Sequence, residues 1–251
     1  MQVMSIQSPE DLAGLQAIGR IVALTLQVMA RAVRPGVTTA ELDLIAAREL
    51  ARWGAESSPP LVYGFPGFSC ISLNSQVVHG VPSECTTVQP GDLVKLDLTA
   101  QKDGYVADAA VTVAVPPASL TARRLAQCAQ SAFESARSVA RAGSRISGIG
   151  RAVEKEVRAA GFEVLRQWCG HGVGRTIHEA PQVPNFEDRR SSAALTEGLV
   201  ITIEPIITAG IDKSFVSSDG WTVVTADQAL AAHYEHTVVI TRGEPMVLTA
   251  L

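Results

Sequence analysis

The chain has 251 residues, 47% of them hydrophobic and 18% charged, with a formal net charge of −4. That length fits one large domain or two small ones with a substantial core, and the composition excludes a disordered tail. The mild acidity offers no electrostatic footprint for nucleic acid or an anionic membrane surface.

In chain order, MQVMSIQSPEDLAGLQ lacks the charged-then-apolar layout of a signal peptide, and no run reads as apolar over the length of a bilayer span. A first helix starts at Ser8 as N-cap, with Pro9 in its first turn and a stop at Pro35-Gly36. Leu15, Ile18, Val22, Leu26, Met29 and Val33 form its apolar stripe. A second helix opens at Thr38 with a capping box to Glu41 and ends at Gly54. Strand-like stretches follow at 68–78, 93–100 and 105–115. Helices are expected again over 121–142 and 147–160, stopped by Gly143 and Gly161, and strands over 199–208, 221–225 and 232–241. The four cysteines, Cys70, Cys85, Cys128 and Cys169, form no C-x-x-C pair, as expected of reduced thiols in a cytoplasmic protein.

Two halves share a grammar. Gly36 to Gly54 brackets one helix and Gly143 to Gly161 another at the same spacing; the same shift of 107 lays GDLVKLD (91–97) on GLVITIE (198–204), Asp97 on Glu204. This points to an internal duplication in one α/β (α+β) domain spanning 1–251, with halves of about 1–116 and 117–251 around a shared cleft.

The chemistry starts in that matched pair. In LVKLDLTA, Val94, Leu96 and Leu98 share one face, and Lys95, Asp97 and Thr99 the other. Asp103-Gly104 is a hairpin signal that would pair Thr99 with Asp108 and Asp97 with Ala110, leaving the two aspartates as diagonal neighbours. Carboxylates that close repel unless a cation lies between them, or unless Lys95 or Lys102 forms an ion pair there. Glu204 falls in the apolar run VITIEPII; Glu235 falls in AAHYEHTVVIT, with His233 and Thr237 on its face. Carboxylates at four strand positions plus an imidazole suit two divalent ions. The stretch CGHGVGRTIHEAP (169–181) sets His171 and His178 seven positions apart. That spacing is too long on a helix and of the wrong parity on a strand for both rings to reach one ion from a single element.

The segments CISLNSQVVHGVPS, GDLVKLDLTAQKDGYVADAAVTVAV, GHGVGRTIHEAPQVPNF, GLVITIEPIITAG and DGWTVVTADQALAAHYEHTVVIT together resemble the type I methionine aminopeptidases of the pita-bread fold, in the short bacterial-type form. The resemblance implies two pseudo-symmetric halves of helix pair plus antiparallel sheet around a dimetal site. It implies that Asp97, Asp108, His171, Glu204 and Glu235 bind two metals (Co, Mn, Fe or Zn), with Asp108 and Glu235 bridging. His79 and His178 would contact substrate, Glu204 would shuttle a proton, and Cys70, Phe65 and Trp221 would line a methionine pocket. On the same ground, a mobile GVGRT segment would carry His178 over the metals. The implied activity is removal of N-terminal methionine from nascent polypeptides when the second residue is small, by a monomer in the cytoplasm, with ribosome association as a corollary and no DNA or membrane partner. Val62, Ile177 and Asn185 stand where the family has other residues, which bears on the pocket rather than the ligands. The rivals are an X-Pro aminopeptidase of the same fold and a non-catalytic binding module on it.

Overall fold

The computed structural model describes residues 6–251. Helix α1 (Pro9–Ala32) is capped by the Ser8 hydroxyl, which accepts from the Asp11 amide, and α2 (Thr39–Trp53) carries the expected capping box between Thr38 and Glu41. Strand β1 (Glu56–Ser57), a short helix α3 (Ser58–Tyr63) and β2 (Cys70–Leu73) lead to the long hairpin of β3 (Leu93–Lys102) and β4 (Tyr105–Ala114). Helices α4 (Leu120–Val139) and α5 (Ile146–Ala159) open the second half. The rest is strand: β5 (Glu163–Val164), β6 (Cys169–Gly172), β7 (Glu179–Pro184), β8 (Val200–Ile203), β9 (Ile206–Thr208), β10 (Ser214–Val216), β11 (Val223–Thr225), β12 (Ala231–His233), β13 (Glu235–Val239) and β14 (Met246–Val247).

A nine-stranded sheet organises the molecule in the order β1-β3-β4-β13-β8-β6-β7, with β2 on β3 and β14 on β13. Every pairing in it is antiparallel. The β4–β13 pairing joins the two halves through Ala110↔Glu235 and Ala109↔His236. One apolar cluster packs α1 and α2 on β3 and β4, with Ile18, Val22, Leu42, Leu96 and Leu98 at its centre; another packs α4 and α5 under Ile201, Ile203 and Val238. Both bury the side of each strand opposite its polar residues, so the carboxylates are left on the far face.

Four expectations need correction. Helix α1 is long and apolar enough to cross a membrane by length and composition, against the reading that no run is; yet half of it is buried, and Ile18, Val22 and Leu26 lie in the core. The stretches 199–208 and 232–241 are not continuous strands but break at Glu204-Pro205 and at Tyr234. Proline has no amide hydrogen for the ladder, so the strand stops where Glu204 stands. The strand expected over 68–78 is confined to Cys70–Leu73. The glycine-rich stretch 169–181 carries regular structure. It forms a β6–β7 hairpin whose tip is tied by Glu179 Oε1, which accepts from the amides of Arg175 (2.7 Å) and Thr176 (2.8 Å).

Candidate active site

The hairpin register is the expected one: Thr99 faces Asp108 and Asp97 faces Ala110. The row continues across three strand pairings, so Cys70, Asp97, Ala110 and Glu235 lie side by side. Ala110 between two acidic residues is the smallest side chain with a Cβ, which leaves room above it.

One step along the strands runs a band of threonines that holds these groups from behind. Thr99 Oγ1 donates to Asp108 Oδ2 at 2.8 Å. The Thr237 hydroxyl accepts from the Asp108 amide (2.9 Å) and donates to its carbonyl (2.8 Å). Thr202, paired with Thr237 in register, donates to Glu204 Oε1 at 2.8 Å and accepts from the His171 amide at 3.0 Å. Threonine suits this task because a β-branched residue favours the strand while its hydroxyl both donates and accepts. Neither lysine offers an ion pair: Lys95 Nζ donates to the carbonyls of Asn74 and Ala231, and Lys102 to those of Trp53 and Gly54.

His171 and His178 do meet. One ring stands on β6 and the other at the entry to β7, with centroids 4.3 Å apart. The parity argument holds within one strand, but two strands of a bulged hairpin escape it. His171 Nδ1 lies 2.9 Å from the Gly172 carbonyl, which leaves Nε2 for the carboxylates: 3.5 Å from Glu204 Oε1 and 3.9 Å from Asp108 Oδ2. His79 has a left-handed backbone (φ 56) and stands edge-on to Trp168 at 5.4 Å. Such a conformation in a non-glycine residue is uncommon and clusters at functional sites.

The electrostatics are unfavourable as they stand. Burial pushes Asp97, Glu204 and Glu235 well above the ordinary carboxylate range, with repulsion from neighbouring carboxylates adding to it; burial also raises Asp108, against the lowering effect of its Thr99 hydrogen bond. Burial also holds His171 and His79 down to about 4. Asp108 Oδ1 and Glu235 Oε1 are buried without a hydrogen-bond partner. Buried acceptor oxygens in this number, beside neutral imidazoles, are a donor set that fits divalent cations. Among the described residues, two groups have donor atoms within 4.8 Å of one another: Asp108, His171 and Glu235; and Glu204, His233 and Glu235.

Above these groups opens a cleft of about 330 Å³. Every expected site residue lines it: Phe65, Cys70, His79, Asp97, Asp108, His171, His178, Glu204, Trp221 and Glu235. Phe65 and Trp221 meet edge-to-face at 5.3 Å, and Cys70 is buried beside Asp97. Asn185 lies off the cleft, with its Nδ2 donating to the Glu204 carbonyl at 2.8 Å. Ile177 is a buried cleft residue, whereas Val62 is exposed. Among the lining residues that sequence reasoning missed are Tyr63, Trp168 and His233. The Tyr63 hydroxyl reaches His178 Nδ1 at 2.5 Å. Trp168 carried no signal, and His233 carried its shared face with Glu235.

The profile of metallopeptidase family M24 matches residues 13–242. Methionine aminopeptidase 2 of Bacillus subtilis (strain 168) is 41% identical over 249 residues, covering 99% of this chain and 100% of the relative. The methionine aminopeptidase of Escherichia coli (strain K12) is 38% identical over 247 residues, covering 98% and 94%. The crystal structure of methionine aminopeptidase from Thermotoga maritima superposes with a TM-score of 0.96 at 30% identity, each chain covered in full (100%). Prolidase from Pyrococcus furiosus shares the fold at a TM-score of 0.79 and 23% identity, but this chain spans only 65% of its length. The chain therefore belongs to metallopeptidase family M24, among the methionine aminopeptidases of the short bacterial form and with their pita-bread fold.

Proposed function

We propose that this chain cleaves the N-terminal methionine from nascent polypeptides and peptides whose second residue is small. The observation that carries the reading is the cluster of four carboxylates and His171 at the floor of a partly aromatic cleft. Asp97, Asp108, His171, Glu204 and Glu235 would hold two divalent ions drawn from Co, Mn, Fe or Zn. Such ions supply a water acidified toward neutral pH and a Lewis acid for the carbonyl.

The chain's own residues do the rest. The apolar walls of Phe65, Cys70 and Trp221 take an unbranched thioether side chain and offer no partner to a charged one. If the Tyr63 hydroxyl donates to His178 Nδ1, the imidazole carries its proton on Nε2 and can donate to the developing oxyanion. His79, neutral and half-buried, hydrogen-bonds the scissile amide and holds it in line. Glu204 passes a proton to the leaving amine, and its Oε1 is steadied by Thr202 for that task. A methionine-specific M24 enzyme of this kind would work in the cytoplasm on chains emerging from the ribosome, as a monomer.

Competing peptides beginning Met-Ala, Met-Leu, Lys-Ala and Ala-Pro, read by mass spectrometry of the products, test this. Met-Ala is expected to be cleaved first, and Met-Leu slower by about 100-fold because bulk near His79 and His178 displaces the scissile bond. Preferred cleavage of Ala-Pro would move the chain to the X-Pro activity, comparable cleavage of Lys-Ala would remove the methionine pocket, and no cleavage by metal-loaded protein would favour a binding module.

A further inference from the structure

His233 closes β12 on the cleft floor and is 2% exposed, yet neither of its ring nitrogens has a hydrogen-bond partner. Its backbone is fixed on both sides by one hydroxyl: the His233 amide donates to Thr112 Oγ1 at 3.0 Å, and Thr112 donates back to the His233 carbonyl at 2.7 Å. The ring is aimed at two carboxylates, with Nε2 lying 3.3 Å from Glu235 Oε2 and 3.9 Å from Glu204 Oε2.

These separations suit a common ion. Donor atoms each about 2.0–2.2 Å from one metal lie roughly 3–4 Å apart for bond angles between right and open. Glu204 is divided between two imidazoles: Oε1 faces His171 and Oε2 faces His233. An imidazole that merely supported the carboxylates would donate a hydrogen bond to one of them and usually anchor its other nitrogen elsewhere. His233 does neither.

We propose that His233 is a sixth protein ligand, its Nε2 coordinating a divalent ion seated against Glu204 and Glu235. This rests on the metal-centre reading above. A second neutral nitrogen donor beside the four carboxylates would bias the centre toward zinc, cobalt and iron, and away from magnesium and calcium.

The test is X-ray absorption at the metal edge of the full chain loaded with two equivalents of zinc, which counts coordinated imidazoles from ring scattering. Two imidazoles on two ions give an average of about one per ion; His171 alone gives about half that. His233→Gln, which keeps a polar amide of similar size, should lower the count about twofold with zinc still bound. A wild-type count of half per ion would overturn the proposal without need of the variant, as would an unchanged count in His233→Gln. A wild type that takes up no zinc would instead overturn the metal-centre reading, and this inference with it.

Discussion

At the scale of single residues, two histidines with nearly touching rings are expected to do different work. His171 turns Nε2 to the carboxylates, whereas His178 is exposed and bonded to Tyr63. His171→Ala should lose bound metal. His178→Ala should keep metal and fold while turnover falls by about 100-fold or more, the typical loss for one oxyanion donor. Tyr63→Phe removes the hydroxyl in contact with His178 Nδ1, so kcat should fall with little change in KM or metal content if that hydroxyl sets the His178 tautomer. Metal analysis beside steady-state kinetics checks all three, and loss of metal in His178→Ala with retention in His171→Ala would reverse the roles. The Asp97–Asp108 pairing was legible because alternation and one Asp-Gly turn determine a register. The Tyr63–His178 contact was not, since 115 residues separate the partners and no local pattern encodes the meeting.

At the scale of elements, helix ends were readable to within a residue or so wherever a cap was present: Ser8, Thr38 and Gly54 behave as their side chains or φ angles require. Strand interruptions were less so. VITIEPII reads as one apolar run, and only the missing proline amide shows why β8 ends before Glu204 and β9 resumes after Pro205. The β6–β7 hairpin was hidden because its glycines suggest a loop when their task is close packing. A Cβ on Gly170 would lie 2.6 Å from the Thr202 carbonyl oxygen of β8, a backbone atom that cannot step aside. Thr202 is also the residue whose hydroxyl receives the His171 amide and steadies Glu204. Gly170→Ala should therefore force β6 from β8, costing about 1–3 kcal/mol and weakening metal uptake together with stability. Chemical denaturation and metal titration check this, and a variant of wild-type stability would show that β6 has room to shift.

At the scale of the whole molecule, the shift of 107 seen in the sequence recurs in backbone geometry. Gly36 and Gly143 have φ of 92 and 88, Gly54 and Gly161 of 62 and 81, and Gly91 and Gly198 of 94 and 82. The isolated bridges Thr38↔Thr87 and Arg145↔Ala194 stand at the same offset, as do the hydrogen bonds from Gly36 to Val88 and from Gly143 to Leu195. We propose on this support that one helix-pair-and-sheet unit was duplicated within a single domain. The first unit contributes Asp97 and Asp108 and the second His171, Glu204 and Glu235, with β4 and β13 as the seam. Carboxylates from both units thus face each other across that seam, each resisting ionisation because of burial, and Asp97, Glu204 and Glu235 also because of their acidic neighbours. Ions bound there would tie the units together and bind only the folded chain. At a thousandfold excess over Kd such binding contributes about 4 kcal/mol. For a chain of this size that corresponds to a rise in Tm of roughly 8–16 °C. Exhaustive chelation should lower Tm by about this much and abolish activity, and added Co or Mn should restore both. A chelated chain that melts where the loaded one does would show that no ion bridges the seam.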